Sequence, residues 1–273
     1  NTLIQDILIR HSLSVVIGSS GSGKTTWVLQ SLEAAAKEEP AFGLFPTAPL
    51  EPVWYAVLDR TTEELEAKFK NIAIPPELFR YKSYRDEIGS KSMLRNIFIE
   101  RPPNTKIIII DGIGFAVEKI ISQYEVGKII SLLDKLRRET DTTLQLIHHT
   151  PKVKGAEKYS DPREKGMGSG AWCQMARTAI VFEKAQAGDV KNRYRRVWVL
   201  QTDREDQEYA FMQSEGRLVH LPQGLPTGEI QKGWTIDDIM ARFDKSFHEA
   251  RRIRARSQAG ETILAVEDDS EPS

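Results

Sequence analysis

The stretch "GSSGSGKT" (Gly18–Thr25) constrains this chain more than any other. It satisfies G-x-x-x-x-G-K-[ST] in full, and its surroundings give the pattern weight. It leaves "LSVVI" (Leu13–Ile17), a β-branched run suited to a strand buried on both faces. It then opens a helical stretch that continues to about Ala36. A loop between strand and helix lets glycine backbone wrap phosphate, while the helix N-terminus aims amide donors and partial positive charge at it. The residues assigned to phosphate are Gly18, Ser19, Ser20, Gly21, Ser22, Gly23, Lys24, Thr25 and Thr26. Lys24 is suited to bridge the outer phosphates of ATP, and the Thr25 hydroxyl to bind Mg²⁺. A Gly/Ser linker would not place Lys-Thr-Thr at the head of an apolar helix.

The order of the following segments predicts the fold class. "PVWYAVLD" (Pro52–Asp59), "KIIIID" (Lys106–Asp111) and "TTLQLIHH" (Thr142–His149) have the composition of strands. Helical segments lie between them: "TTEELEAKFKNI" (Thr61–Ile72), with a Thr-x-x-Glu start, and the amphipathic Ser122–Thr140. Alternation of this kind implies an α/β fold, with a mostly parallel sheet covered by helices on both faces. "RTAIVFEK", "RRVWVLQTD" and "EYAFMQSEGRLVHL" follow at hairpin spacing, so antiparallel strands are expected at the C-terminal edge. Trp54, Trp172 and Trp198 sit in apolar runs and are expected in the core. The domain expectation is a nucleotide domain over 1–225, a helical extension over 226–259, and a disordered acidic tail over 260–273.

Charge and composition narrow the class further. Lysine and arginine total 38 against 39 acidic residues, so any surface for nucleic acid has to be local. The single cysteine, Cys173, cannot form an internal disulfide, which suits a reducing cytoplasm. No apolar run approaches the ~20 residues that span a bilayer, so no membrane partner is expected. The chain begins at Asn1 rather than Met, which leaves room for residues upstream.

Two carboxylates complete the nucleotide reading. Asp111 ends "KIIIID" at the ligand-bearing edge of a parallel sheet, where it can hold the water shell of Mg²⁺. Asp59 ends the second strand at the same edge. If that strand neighbours the P-loop strand, Asp59 can act as the base that orients water at the γ-phosphate. Capping the helix near Thr61 suits an aspartate equally well.

The histidine pair His148–His149 raises three readings: a metal site, a general base, or a ligand sensor. Adjacent strand residues face opposite ways, so the pair cannot easily share one ion. At the strand tip one imidazole of the pair can bond a phosphate or its water, while its neighbour packs or bonds locally.

These motifs together, with "LIHHTPK" and "GMGSGAWCQMART", resemble the RepA-type replicative helicases of plasmids and phages over roughly Thr2 to Leu221. Those proteins are RecA-fold ATPases that form rings of six. The resemblance implies catalysis by Lys24, Asp59 and His149, with Arg177 inserted into the neighbouring subunit's site. It also implies a homo-hexamer, single-stranded DNA in a central channel, and a replication protein as a further partner. Arg204 is either a second contact to the neighbour's nucleotide or a solvated strand residue. The channel loop would carry Lys152, Lys154, Lys158, Arg163 and Lys165 against Glu157, Asp161 and Glu164. Cations on a flexible loop suffice for backbone contact, although a solvated loop can have this composition too.

The sequence departs from the family at three points. Asp59 stands where glutamate is usual, Met167-Gly168 where Arg-Gly is common, and Thr202 where a lysine is usual. These departures bear on turnover and unwinding rather than on nucleotide binding. They keep a second expectation open: a regulatory or loader ATPase that assembles on DNA or a partner protein without unwinding.

Overall fold

The computed structural model describes residues 2–88, 92–116, 123–150, 172–173, 175–184, 194–201 and 204–222. The expected DNA loop, Thr202 and the extension and tail assigned to 226–273 lie outside these residues.

A short hairpin opens the chain, formed by β1 (Thr2–Ile4) and β2 (Leu8–Ile9). The P-loop strand β3 (Leu13–Ser19) leads into α1 (Lys24–Ala36). Next come β4 (Val53–Val57), α2 (Thr62–Phe69), β5 (Phe79–Ser83) and α3 (Met93–Ile99). Then follow β6 (Ile107–Asp111), the short α4 (Ile113–Ala116), α5 (Gln123–Glu139) and β7 (Thr143–Thr150). The described chain ends with β8 (Thr178–Lys184), β9 (Tyr194–Gln201), β10 (Gln207–Ser214) and β11 (Arg217–His220).

The main sheet has the order β11-β10-β9-β8-β3-β7-β6-β4-β5. From β8 to β5 every pairing is parallel, and from β8 through β9 and β10 to β11 every pairing is antiparallel. This is the expected RecA-like architecture, with three corrections. "RTAIVFEK" is a parallel strand against β3, so the antiparallel portion begins one strand later. The strand preceding Asp59 does not neighbour the P-loop strand, because β7 and β6 stand between β3 and β4. Finally, β5 is a parallel edge strand that its sequence, "FRYKS", does not announce. Only Phe79 of its five residues is buried, since an edge strand packs on few neighbours.

Each central strand is apolar throughout because both of its faces are covered. Val16, Ile107, Ile109 and Ile147 pack on one side with Trp27, Leu32, Leu65 and Phe69, so α1 and α2 lie there. Val15, Ile17, Ile108 and Ile110 pack on the other with Ile97, Val126, Ile130 and Leu133, which places α3 and α5. Period-2 alternation thus feeds two cores at once. Trp54, Trp172 and Trp198 are buried as expected.

Candidate nucleotide site

The C-terminal ends of the parallel strands bring the acidic and P-loop residues together. Gly18 leaves β3 in close contact with β8: a Cβ there would lie 2.7 Å from the Phe182 Cβ and 2.8 Å from the Ser22 Oγ. Gly23, at φ 99°, is the left-handed residue that turns the loop into α1. Lys24 is 3% exposed, and its ammonium donates to the carbonyls of Gly18 at 2.7 Å and Ser19 at 2.8 Å. Burial pulls its pKa down to about 8, against the raising pull of Asp111 and Asp59, while Lys184 lowers it further.

Asp111 is 2% exposed at the tip of β6. Its Oδ2 accepts two hydrogen bonds, from the Thr25 hydroxyl at 2.9 Å and from the Tyr55 hydroxyl at 2.9 Å. Its Oδ1 is buried and accepts none among the described residues. A buried carboxylate oxygen left in this state is destabilising unless a cation or ordered water meets it. Together with the hard oxygen donor of Thr25, it fits Mg²⁺ and its water shell. The ion, when bound with nucleotide, would neutralise phosphate charge. Tyr55 was not anticipated from sequence. Burial and the Asp111 carboxylate hold its phenol well above the ordinary range, so it stays a proton donor.

Asp59 reaches the same place from a bend two residues beyond β4. Gly112 makes the approach possible, because a Cβ there would stand 3.3 Å from both the Cβ and Cγ of Asp59. Gly112 also holds φ at 84°, where L side chains are strained. Asp59 Oδ2 lies 3.5 Å from His149 Nε2, and Oδ1 lies 3.8 Å from Arg60 Nε. Burial is the largest influence on this carboxyl and raises its pKa. The His149 imidazole, Arg60 and Lys68 outweigh it, leaving Asp59 below the usual value and ionised at neutral pH. The cap of α2 is Thr61, whose side chain forms a full capping box with Glu64. The helix therefore does not need Asp59 as its cap, which leaves the carboxylate for the site.

The histidine pair separates as strand geometry requires. His148 is 5% exposed and packs on the Trp172 ring at 5.3 Å between centroids. His149 pairs in register with Gly18 and turns its imidazole to Asp59. The two faces of β7 rule out one shared ion and put a single imidazole between the P-loop and the acid.

The remaining predicted residues divide differently. Arg177 is exposed just before β8, at the opposite end of the sheet, where its amide donates to the Leu13 carbonyl. A cleft there is also lined by His11, Asp134, Arg137, Arg138 and Met175. Arg204 lies at the far end of β9 and pairs with Asp6 at 2.6 Å. Neither reaches the P-loop of its own chain. Lys152, Lys154, Lys158, Arg163 and Lys165 lie outside the described residues.

Arg195 is a further residue that sequence reading missed. It is 2% exposed, and its guanidinium donates to the carbonyls of Ser22 at 3.0 Å and Gly21 at 3.3 Å, and to Gln213 Oε1 at 2.6 Å. It thereby props the outer wall of the loop. The available signal was positional, since Arg195 shares a strand face with Val197 and Val199, both core residues.

No curated protein matches the chain significantly. Among solved structures, a KaiC-like protein from the hyperthermophilic archaeon Pyrococcus horikoshii is similar at 18% identity and a TM-score of 0.49, over 81% of this chain and 94% of that one. The AAA_25 family, described as an AAA domain, matches residues 1–155, which include the P-loop, both acids and the paired histidines. That match spans more than half of the chain, and the chain belongs to this family of P-loop ATPases.

Proposed function

We propose that this ATPase is a ring-forming motor of the RepA helicase type, hydrolysing ATP between subunits and moving along single-stranded DNA. The observation that carries the reading is the division of charged groups between the two ends of the sheet. Gly18 pairs with Phe182 in β8, whereas Arg177 lies five residues earlier on the same segment. At ~3.3 Å per residue, Arg177 is on the order of 16 Å from its own P-loop. An arginine so placed cannot serve the nucleotide of its own chain but is open to that of a neighbouring copy. The P-loop, Asp111, Asp59 and His149 would bind and turn over ATP in one subunit, and Arg177 of the next would stabilise charge on the transferring phosphate.

Within the subunit, Asp59 is the ionised carboxylate available to orient water, and His149 touches it directly. His149 also lies one residue before the end of β7, and Lys152, Lys154 and Lys158 follow it closely in sequence. A change at the terminal phosphate would thus have a short route to the segment assigned to DNA.

The test combines ATPase rates, with and without a single-stranded oligonucleotide, with sizing in Mg-ATP. The motor reading expects a six-fold assembly, stimulation by the oligonucleotide, and displacement of a paired strand. Mixing Lys24→Ala with Arg177→Ala subunits should restore part of the activity, because one interface then combines an intact P-loop with an intact arginine. Slow turnover with assembly but without strand displacement would instead support the regulatory or loader ATPase. Mixed subunits that stay inactive would sink the shared interface.

A further inference from the structure

Helix α2 carries a cation that the P-loop reading does not use. Thr61 caps the helix two residues after Asp59, so its N-terminus is tied to the acid edge of the sheet. Leu65 and Phe69 anchor it in the core at i and i+4. The Phe69 ring stands edge-on to the Tyr55 ring at 5.3 Å, and the Tyr55 hydroxyl holds Asp111. On the far side, Glu33 of α1 accepts from the Ala73 amide at 3.1 Å, which ties the segment after α2 to the P-loop helix. Lys68, half-buried, flanks the anchored face, three residues after Leu65 and one before Phe69. Helical side chains slant towards their own N-terminus, and for Lys68 that is the end capped by Thr61, next to Asp59.

Among the described residues Lys68 makes no hydrogen bond and no ion pair. Burial is the main influence on it and lowers its pKa; the carboxylates acting on it are those of Asp111 and Asp59, opposed by Arg60. A half-buried ammonium within electrostatic reach of two carboxylates that each leave one buried oxygen without a hydrogen bond is unusual for a structural lysine. A structural pair would have closed to contact. We propose that Lys68 contacts the terminal phosphate of a bound nucleoside triphosphate from within the same subunit. It would distinguish triphosphate from diphosphate, because it reaches only the terminal phosphate, whereas Lys24 also reaches the β-phosphate that ADP keeps. The proposal rests on the ATPase reading of the site.

Equilibrium binding of fluorescent ADP and of a non-hydrolysable ATP analogue, each with Mg²⁺, tests it. Lys68→Ala should weaken the ATP analogue about tenfold and change ADP by no more than about twofold, as loss of a charge-assisted contact to one phosphate predicts. Lys68→Met, which keeps the apolar stem, should show the same selective loss, and Lys68→Arg should recover part of it. Circular dichroism of each variant checks the fold. Equal weakening of both ligands, or no change in either, would overturn the proposal. If the unaltered protein binds neither ligand, or Lys24→Met binds both normally, the ATPase reading itself fails instead.

Discussion

The two ends of the central sheet treat charge in opposite ways. At the C-terminal end, Lys24 and Asp111 are almost wholly buried, and Asp59 and Asp111 each keep one oxygen that accepts no hydrogen bond among the described residues. At the N-terminal end polar groups are paired locally, and the side chains of Arg138 and Arg204 are exposed. Arg204 pairs with Asp6, Arg137 and Arg138 share Asp134, and His11 meets Asp141 at 2.9 Å. Buried groups without full partners destabilise a fold and persist where a ligand completes them. Exposed, locally paired groups contribute little stability and can be rearranged cheaply by an approaching surface. The first end therefore has the chemistry to enclose a small charged ligand, and the second does not.

The comparison breaks most visibly at Arg177. If the exposed end serves a neighbour's nucleotide, Arg177→Ala should lower the ATPase rate by about a thousandfold, in line with arginines that stabilise phosphoryl transfer in trans. ADP affinity should stay unchanged, as read by fluorescence titration. A drop in ADP affinity with no effect on rate would reassign Arg177 to its own fold.

At the buried end, Asp59→Asn should reduce turnover by about a hundredfold or more while nucleotide still binds, because the amide cannot take a proton from water. Single-turnover hydrolysis beside equilibrium binding separates the two effects. Retained turnover would leave Asp59 as a partner of His149 only.

Lys24 exposes the conflict between stability and ligand. Its pKa is about 8 in the fold and 10.5 in the reference state, so at pH 7 the folded protein carries a penalty of about 3 kcal/mol. The unfolded chain binds more protons between those values, so stability should rise with pH from about 8. The gain ends near pH 10, where Tyr55, held above its ordinary value, begins to favour the unfolded chain. Lys24→Met should flatten this rise in chemical denaturation, and should weaken nucleotide binding by about a hundredfold. A rise of unchanged size in the variant would place its origin elsewhere.

The smallest effect belongs to Arg204. Its side chain is 62% exposed and bonds one carboxylate, so Arg204→Ala should change unfolding free energy by no more than about 1 kcal/mol. A larger loss would show that the exposed end carries structural weight.

Much of this was legible in advance because local chemistry dictates it. The P-loop, the strand tip at Asp111 and the helix start at Thr61 follow from glycine freedom, two-faced burial and capping. The opposite facing of His148 and His149 follows from strand pleating alone. Tyr55, Lys68 and Arg195 were not legible, for one shared reason. Each occupies an unremarkable position in its own element and gains its role from a residue far away in the chain: Asp111 for Tyr55 and Lys68, the P-loop carbonyls for Arg195. The parallel pairing of β8 was hidden likewise, since strand direction depends on the path of the chain before it rather than on side chains.

By itself, the sequence determined that a strand, a P-loop and a helix would follow one another, with one acid at the tip of another strand and a second just beyond the end of a third. Those outcomes depend on φ/ψ preference and on the period of apolar residues, both short-range. The order of strands is a long-range matter, settled by which apolar faces pack best together. Only the tertiary structure decided that β7 and β6 would stand between the P-loop and Asp59, that Gly112 would let Asp59 in, and that Arg177 would lie at the far end.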